Sequence, residues 1–196
     1  MPLSPTSLHF EIVAAINEQY RPLNILEIGT HDGYFSRYLS ILFPKAVITT
    51  VELPFTDSGT KVANAHRIQK QNYGNNEDIR SSNIDDLSNV NQVFSDSTLL
   101  TFNTSQYDLI WVDGDHTFPV VAFDIINAIR MISSNGWILV DDIRVTNTSK
   151  KSVMGYDEGY VSIKHLQELG VVEVTLIPKH LNRSEKFIAV LRRKNA

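Results

Sequence analysis

The amino-acid sequence predicts an α/β domain built on a doubly wound, mainly parallel sheet of seven strands, with helices on both faces and an antiparallel strand at the edge. Three observations carry this prediction. Short apolar runs alternate with longer stretches of helical periodicity. Runs such as Leu109–Val112 and Trp137–Val140 are apolar at consecutive positions, as in strands covered on both faces. The last two runs have no helix between them, which suits an antiparallel pair. A length of 196 residues with 42% hydrophobic content fits one domain with a sizeable core.

The elements follow in order. Leu8, Ile12, Ala15 and Ile16 share one helical face after Thr6 and Ser7 as caps, predicting a helix that ends near Tyr20. Asn24 to Gly29 reads as a buried strand, and Gly33 to Phe43 as a helix stopped by Pro44. Ala46 to Leu53 is a second strand ended by Pro54, and Thr60 to Asn72 a helix. Tyr73 to Ser88, rich in Asn, Asp and Ser, gives no clear pattern. The third strand is placed at Val90 to Ser95, with Ile79 to Ile84 as its competitor. A strand from Tyr107 to Val112 precedes a helix with Val121, Ile125, Ala128, Ile129 and Ile132 on one face, then a strand from Gly136 to Val140. Arg144 to Gly155 is a polar loop, and Asp157 to Leu169 a helix stopped by Gly170. Val171 to Ile177 and Phe187 to Leu191 close the sheet, separated by Pro178 to Lys186.

Composition narrows the function classes. The absence of cysteine excludes disulfides, thiolate metal sites and a cysteine nucleophile. A formal charge of -4 argues against a broad nucleic-acid surface. No apolar stretch has the length of a membrane span, and Met1 to Ser7 lacks a signal pattern, so a cytoplasmic protein is expected. Homo-oligomerisation is left open.

The chemistry concentrates at the ends of strands. Leu109–Val112 runs into Asp113-Gly114-Asp115-His116, and Trp137–Val140 into Asp141-Asp142. In a parallel sheet both acid sets lie at the carboxyl edge, where open α/β folds bind ligands. Two carboxylates about 4 Å apart repel by roughly 4 kcal/mol at an effective dielectric near 20. A divalent cation is the natural compensation, and the pattern predicts a metal-assisted enzyme.

Ile25-Leu26-Glu27-Ile28-Gly29-Thr30-His31-Asp32-Gly33 sits where a first strand turns into a helix. Gly29 permits a tight turn and Gly33 close packing at the helix start. The Gly-x-x-x-Gly spacing differs from that of dinucleotide folds. Glu52, at the end of the second strand, is placed to accept hydrogen bonds from a ribose diol. Asp96, past the third strand, is either an adenine contact or ordinary turn chemistry. Together these residues favour a nucleoside-containing ligand.

On these residues the chain resembles the class I S-adenosylmethionine-dependent methyltransferases, whose Rossmann-like fold has the predicted element order. Leu26-Glu27-Ile28-Gly29-Thr30 through Gly33 matches their first motif. Trp111 to His116 with Val140-Asp141-Asp142 resembles the small metal-dependent O-methyltransferases of the catechol, caffeoyl-coenzyme A and antibiotic-sugar types. The resemblance implies Glu27, Gly29, Thr30, Gly33, Glu52, Asp96 and Asp113 around S-adenosylmethionine, and Asp113, Asp141 and Asp142 around magnesium. It also implies Asp115 or His116 as catalytic base, with a leaning to Asp115. A magnesium ion on the acceptor oxygen would lower its pKa and orient it. The acceptor is then a small-molecule hydroxyl on a sugar, polyol or phenol.

Each residue also has a plainer reading. Asp115-His116-Thr117 suits a helix N-cap, the glycines a turn, and Glu52 a surface acid. His9, His66, His165 and His180 have no partners visible in sequence and read as ordinary positions, while His31 packs in the turn. Trp111 and Trp137 read as core. Lys150-Lys151 and the Arg192-Arg193-Lys194 tail read as solvated. Three other functions compete: a methyltransferase without metal, a non-catalytic nucleoside-binding module, and a relative running another reaction such as hydroxylation.

Overall fold

The computed structural model describes residues 8–54, 76–145, 158–180 and 183–194. In chain order the elements are α1 (His9–Gln19), β1 (Asn24–Ile28), α2 (Tyr34–Leu42), β2 (Val47–Glu52), α3 (Asn76–Ile84) and β3 (Val90–Phe94). A 3₁₀ segment (Ser97–Phe102) leads to β4 (Tyr107–Val112), α4 (Val120–Met131), β5 (Ile132–Ile143), α5 (Glu158–Glu168), β6 (Val172–His180) and β7 (Arg183–Arg193). The seven strands form one sheet in the order β3-β2-β1-β4-β5-β7-β6. All pairings are parallel except those of β7, which runs antiparallel to both β5 and β6. The two closing strands form the expected antiparallel pair at the edge of the sheet, with β7 on the inside and β6 outermost.

Alternation along the central strands builds two cores. Leu26, Ile28, Ile110, Val112, Ile138 and Val140 face α4 and α5, where Val121, Ile125 and Ile163 are buried. Ile25, Leu109, Trp111 and Leu139 face the other way, onto Val13 and Ile16 of α1 and Leu39 of α2. Side chains of successive strand residues point to opposite faces, so consecutive apolar residues are what a strand covered on both sides requires. Trp111 is core, as expected, at 2% exposure.

Several expectations need correction. Ile79 to Ile84 is helical, within α3. Asn76–Ile84 has few apolar residues, and its helix is held from outside: Arg37 donates to the Asn83 carbonyl (2.9 Å), and Asn83 Nδ2 donates to the Asp32 carbonyl (2.8 Å). Ile132 opens β5 rather than ending α4. The stretch expected as a loop from Pro178 to Lys186 contributes the ends of β6 and β7, because the two strands pair with each other past Ile177. The predicted helix Thr60 to Asn72, Lys150-Lys151 and most of the Arg144 to Gly155 loop lie outside the described residues. No helix among the described residues is long and apolar enough to cross a membrane.

Candidate active site

Register brings the motifs to one edge. Ile28 pairs with Val112, and Val112 with Val140, so Gly29, Asp113 and Asp141 lie side by side, the first two just past β1 and β4 and Asp141 still within β5. Gly29 has φ +98°, and a Cβ there would lie 2.3 Å from the Asp113 carbonyl oxygen. The glycine thus serves both a left-handed turn and a close crossing by the β4 loop. Its N–H donates to the Val51 carbonyl at 2.9 Å.

The first-motif residues gather around this turn. Glu52 accepts from the His31 N–H at 2.6 Å. Thr30 is buried, its hydroxyl 2.6 Å from that of Thr50, and Gly33, at φ +73°, starts α2. Glu27 lies under the turn at 1% exposure, accepting a hydrogen bond from the Ser36 hydroxyl. Burial raises its pKa to about 7, with Ser36 and Thr50 opposing. Asp96 caps the 3₁₀ segment, its Oδ1 accepting from the Thr98 N–H (2.8 Å) and hydroxyl (2.7 Å).

At the acid edge a bulge in β5 decides the geometry. Val140 pairs with Ala189 and Ile143 with Phe187, so β5 carries one extra residue there. Asp142 takes up the excess at φ +54°. A bulge re-aims side chains that a regular strand would send to opposite faces, and here both carboxylates reach one lysine. Lys179 Nζ, at the end of β6, donates to Asp141 Oδ2 (2.6 Å) and Asp142 Oδ1 (2.5 Å). Lys186 of β7 donates to Asp142 Oδ2. His9 Nε2, from the first turn of α1, lies 3.0 Å from Asp141 Oδ2. The Leu8 N–H donates to the Lys179 carbonyl (3.0 Å), and the His9 ring meets Trp111 edge-on at 5.4 Å.

These contacts set the ionisation of the group. Burial opposes charge on Asp141, but His9 and Lys179 outweigh it and hold the carboxyl below the usual range. Burial and the Asp141 charge likewise oppose ionisation of Asp142, and the two lysines prevail. Asp113 goes the other way: burial and the neighbouring Asp141 raise it well above the ordinary value, despite Lys179. Burial lowers the pKa of His116, whose Nε2 is 3.5 Å from Asp113 Oδ1, with Asp142 and Asp141 opposing. Asp115 is exposed and caps its own turn, Oδ1 accepting from the Thr117 N–H (2.8 Å) and hydroxyl (2.7 Å). The helix it was expected to cap begins later, after Pro119.

Among the described residues no group of three or more His, Cys, Asp or Glu side chains is arranged to hold a metal ion. The predicted set Asp113, Asp141 and Asp142 does not fit magnesium as placed. Both Asp142 oxygens and Asp141 Oδ2 are engaged by ammonium groups, which leaves Asp113 and Asp141 Oδ1, a buried atom without a partner.

Sequence reasoning missed four residues: His9, Lys179, Lys186 and Asp124. The two lysines flank the hairpin of the closing strand pair, which an antiparallel reading already places at the acid edge. His9 had no such signal. Asp124 of α4 is fully buried, with neither oxygen in a hydrogen bond. It lies beneath the β4 loop, where a Cβ on Gly114 would be 3.2 Å from its Oδ2.

A family model described as a methyltransferase domain matches residues 26–143, from the Gly29 turn through the acid pair. The chain belongs to that methyltransferase family. Its sheet and flanking helices are those of the class I S-adenosylmethionine-dependent methyltransferases, resembling the small O-methyltransferases. No curated protein matches the sequence. Among solved structures, a cofactor-bound protein from MTB is 19% identical with a TM-score of 0.69, covering 100% of this chain and 84% of that one. A candidate O-methyltransferase from Klebsiella pneumoniae is 18% identical with a TM-score of 0.68, at 99% and 84% coverage. An O-methyltransferase from Bacillus cereus in complex with SAH is 18% identical with a TM-score of 0.66, at 97% and 82%. At these identities the likeness is one of fold.

The donor set along this methyltransferase's carboxyl edge fits S-adenosylmethionine. Glu52 ends β2 and Asp96 comes two residues after the adjacent β3, with the Gly29 turn beside them at the end of β1. Carboxylate acceptors suit a ribose diol and an adenine amino group.

Proposed function

We propose that this chain transfers the methyl group of S-adenosylmethionine to a hydroxyl oxygen of a small sugar, polyol or phenol, without a bound metal. The observation that carries the reading is the juxtaposition of the Gly29 turn with the Asp113–His116 loop: Gly29 packs on the Asp113 carbonyl, and His116 stands beside the Asp113 carboxyl. When bound, the cofactor supplies an electrophilic methyl on a sulfonium, and the acceptor must lose its proton as the new bond forms. His116 is the better base of the two candidates. Its lowered pKa keeps the imidazole neutral near pH 7, and a positioned base contributes about 10²- to 10⁴-fold. Asp115 has Oδ1 occupied by Thr117 and points its remaining oxygen from an exposed turn. Glu52 and Asp96 would hold the nucleoside, and Glu27 supports the turn from below. The bonding of Asp141 and Asp142 to lysines favours the metal-free reading over the magnesium-assisted one.

The test is transfer of a labelled methyl group to a panel of polyhydroxylated and phenolic acceptors, with and without chelator. Turnover that survives chelator and falls in His116→Ala, with cofactor affinity retained, is expected. Cofactor binding with no turnover on any acceptor would instead indicate a binding module, and loss of turnover in chelator would restore the metal.

A further inference from the structure

We infer that Lys179 is the resident cation of the acceptor site, standing where a divalent ion was expected and excluding one. The inference deepens the proposed function only in its last step, contact with the acceptor; the exclusion of metal rests on the lysine geometry alone.

The ammonium lies between the two carboxylates that leave β5, within 2.6 Å of Asp141 Oδ2 and 2.5 Å of Asp142 Oδ1. Its side chain is 12% exposed. Its backbone is fixed on both sides: Pro178 is in register with Phe187 of β7, and the Lys179 carbonyl accepts from Leu8. Lys186 takes the remaining Asp142 oxygen. Asp141 and Asp142 facing two ammoniums leave no net formal charge, where the two acids alone would present −2. A divalent ion would therefore meet a weaker attraction, and could recruit Asp142 or Asp141 Oδ2 only by displacing a lysine from a largely enclosed position. The β5 bulge belongs to the same device, since it turns two neighbouring side chains toward one ammonium.

A lysine can do part of what a metal does at such a site. It is a compact positive charge with three rotatable N–H donors. Two are spent on Asp141 and Asp142. The third is left for an acceptor oxygen, where it would stabilise negative charge as the hydroxyl gives up its proton. The nearby His116 would take that proton, so Lys179 positions and polarises while His116 accepts.

The experiment uses Mn²⁺ as the probe, read by the electron paramagnetic resonance signal of the free ion, on the full chain. Wild type should leave that signal unchanged at sub-millimolar Mn²⁺. Lys179→Met keeps the aliphatic stem and removes the charge; it should take up one Mn²⁺ per chain, at least about tenfold tighter than wild type. Uptake of one Mn²⁺ by wild type that is abolished in Asp141→Asn would overturn the inference. So would a folded Lys179→Met that gains no affinity. If circular dichroism shows that Lys179→Met does not fold, the wild-type titration decides alone: silence supports the resident lysine and binding refutes it. Calorimetric titration of S-adenosylmethionine into the same samples keeps the two ideas apart, because loss of cofactor binding counts against the methyltransferase site and leaves the metal result standing.

Discussion

Asp124→Asn should stabilise this protein, and by an amount that grows with pH. The carboxyl is fully buried, and neither oxygen meets a donor in bonding geometry. Burial raises its pKa from 3.8 to about 7, with the nearby Ser97 offsetting only part of the rise. The sign follows from linkage. Between those two values the folded chain holds a proton that the unfolded chain has released, so stability falls as pH rises through that window. It is complete below the unfolded pKa and lost once the pH passes about 7. At 1.36 kcal/mol per unit, a rise of about three units amounts to roughly 4 kcal/mol. About two of those units lie between pH 5 and pH 7, so roughly 3 kcal/mol should be lost by wild type over that range and kept by the amide variant. For a domain of this size that corresponds to a melting-temperature gap widening by about 6–12 °C. Thermal melts of both proteins from pH 5 to pH 8.5, followed by circular dichroism, measure it. A gap that stays constant with pH would show that Asp124 is not the buried acid described here.

Three further outcomes follow from the same geometry. Gly29→Ala forces a left-handed residue against the Asp113 carbonyl; the backbone strain alone costs about 1–3 kcal/mol, and urea unfolding should show at least that loss together with weaker cofactor binding. Glu52→Gln should weaken S-adenosylmethionine by about 10- to 100-fold through loss of charge-assisted hydrogen bonds, read by calorimetry, with the fold intact. Ser36→Ala removes the hydroxyl that donates to buried Glu27; because the raised Glu27 pKa already costs stability above about pH 7, the variant's deficit should be larger at pH 8 than at pH 5.

Legibility in the sequence tracked the range of the interactions. β4 has the predicted bounds, Tyr107 to Val112, because a doubly buried strand carries its signal in its own side chains. The Gly29 turn was legible for a similar local reason, although the crossing of the Asp113 backbone over the glycine, which comes from a distant strand, was not. α3 was not, since its support comes from Arg37 and Asp32 on a distant segment. The ends of β6 and β7 were hidden because polar residues there pair with each other rather than with the core. At the site the acids were read and their partners were not. His9 lies 132 residues from Asp141, and Lys179 lies 38. The repulsion calculated for the acids correctly demanded a positive charge, but spacing alone could not distinguish an ammonium from a metal ion.

The β5 bulge puts regular pairing and chemistry in opposition at one position. Deleting Asp142 would restore one-to-one matching between Val140–Ile143 and Phe187–Ala189 and remove a residue from a left-handed conformation. The shortened chain would gain a continuous ladder across the middle of its sheet while losing one of the carboxylates that grips Lys179. At this place the protein keeps its acid pair at the expense of an uninterrupted strand.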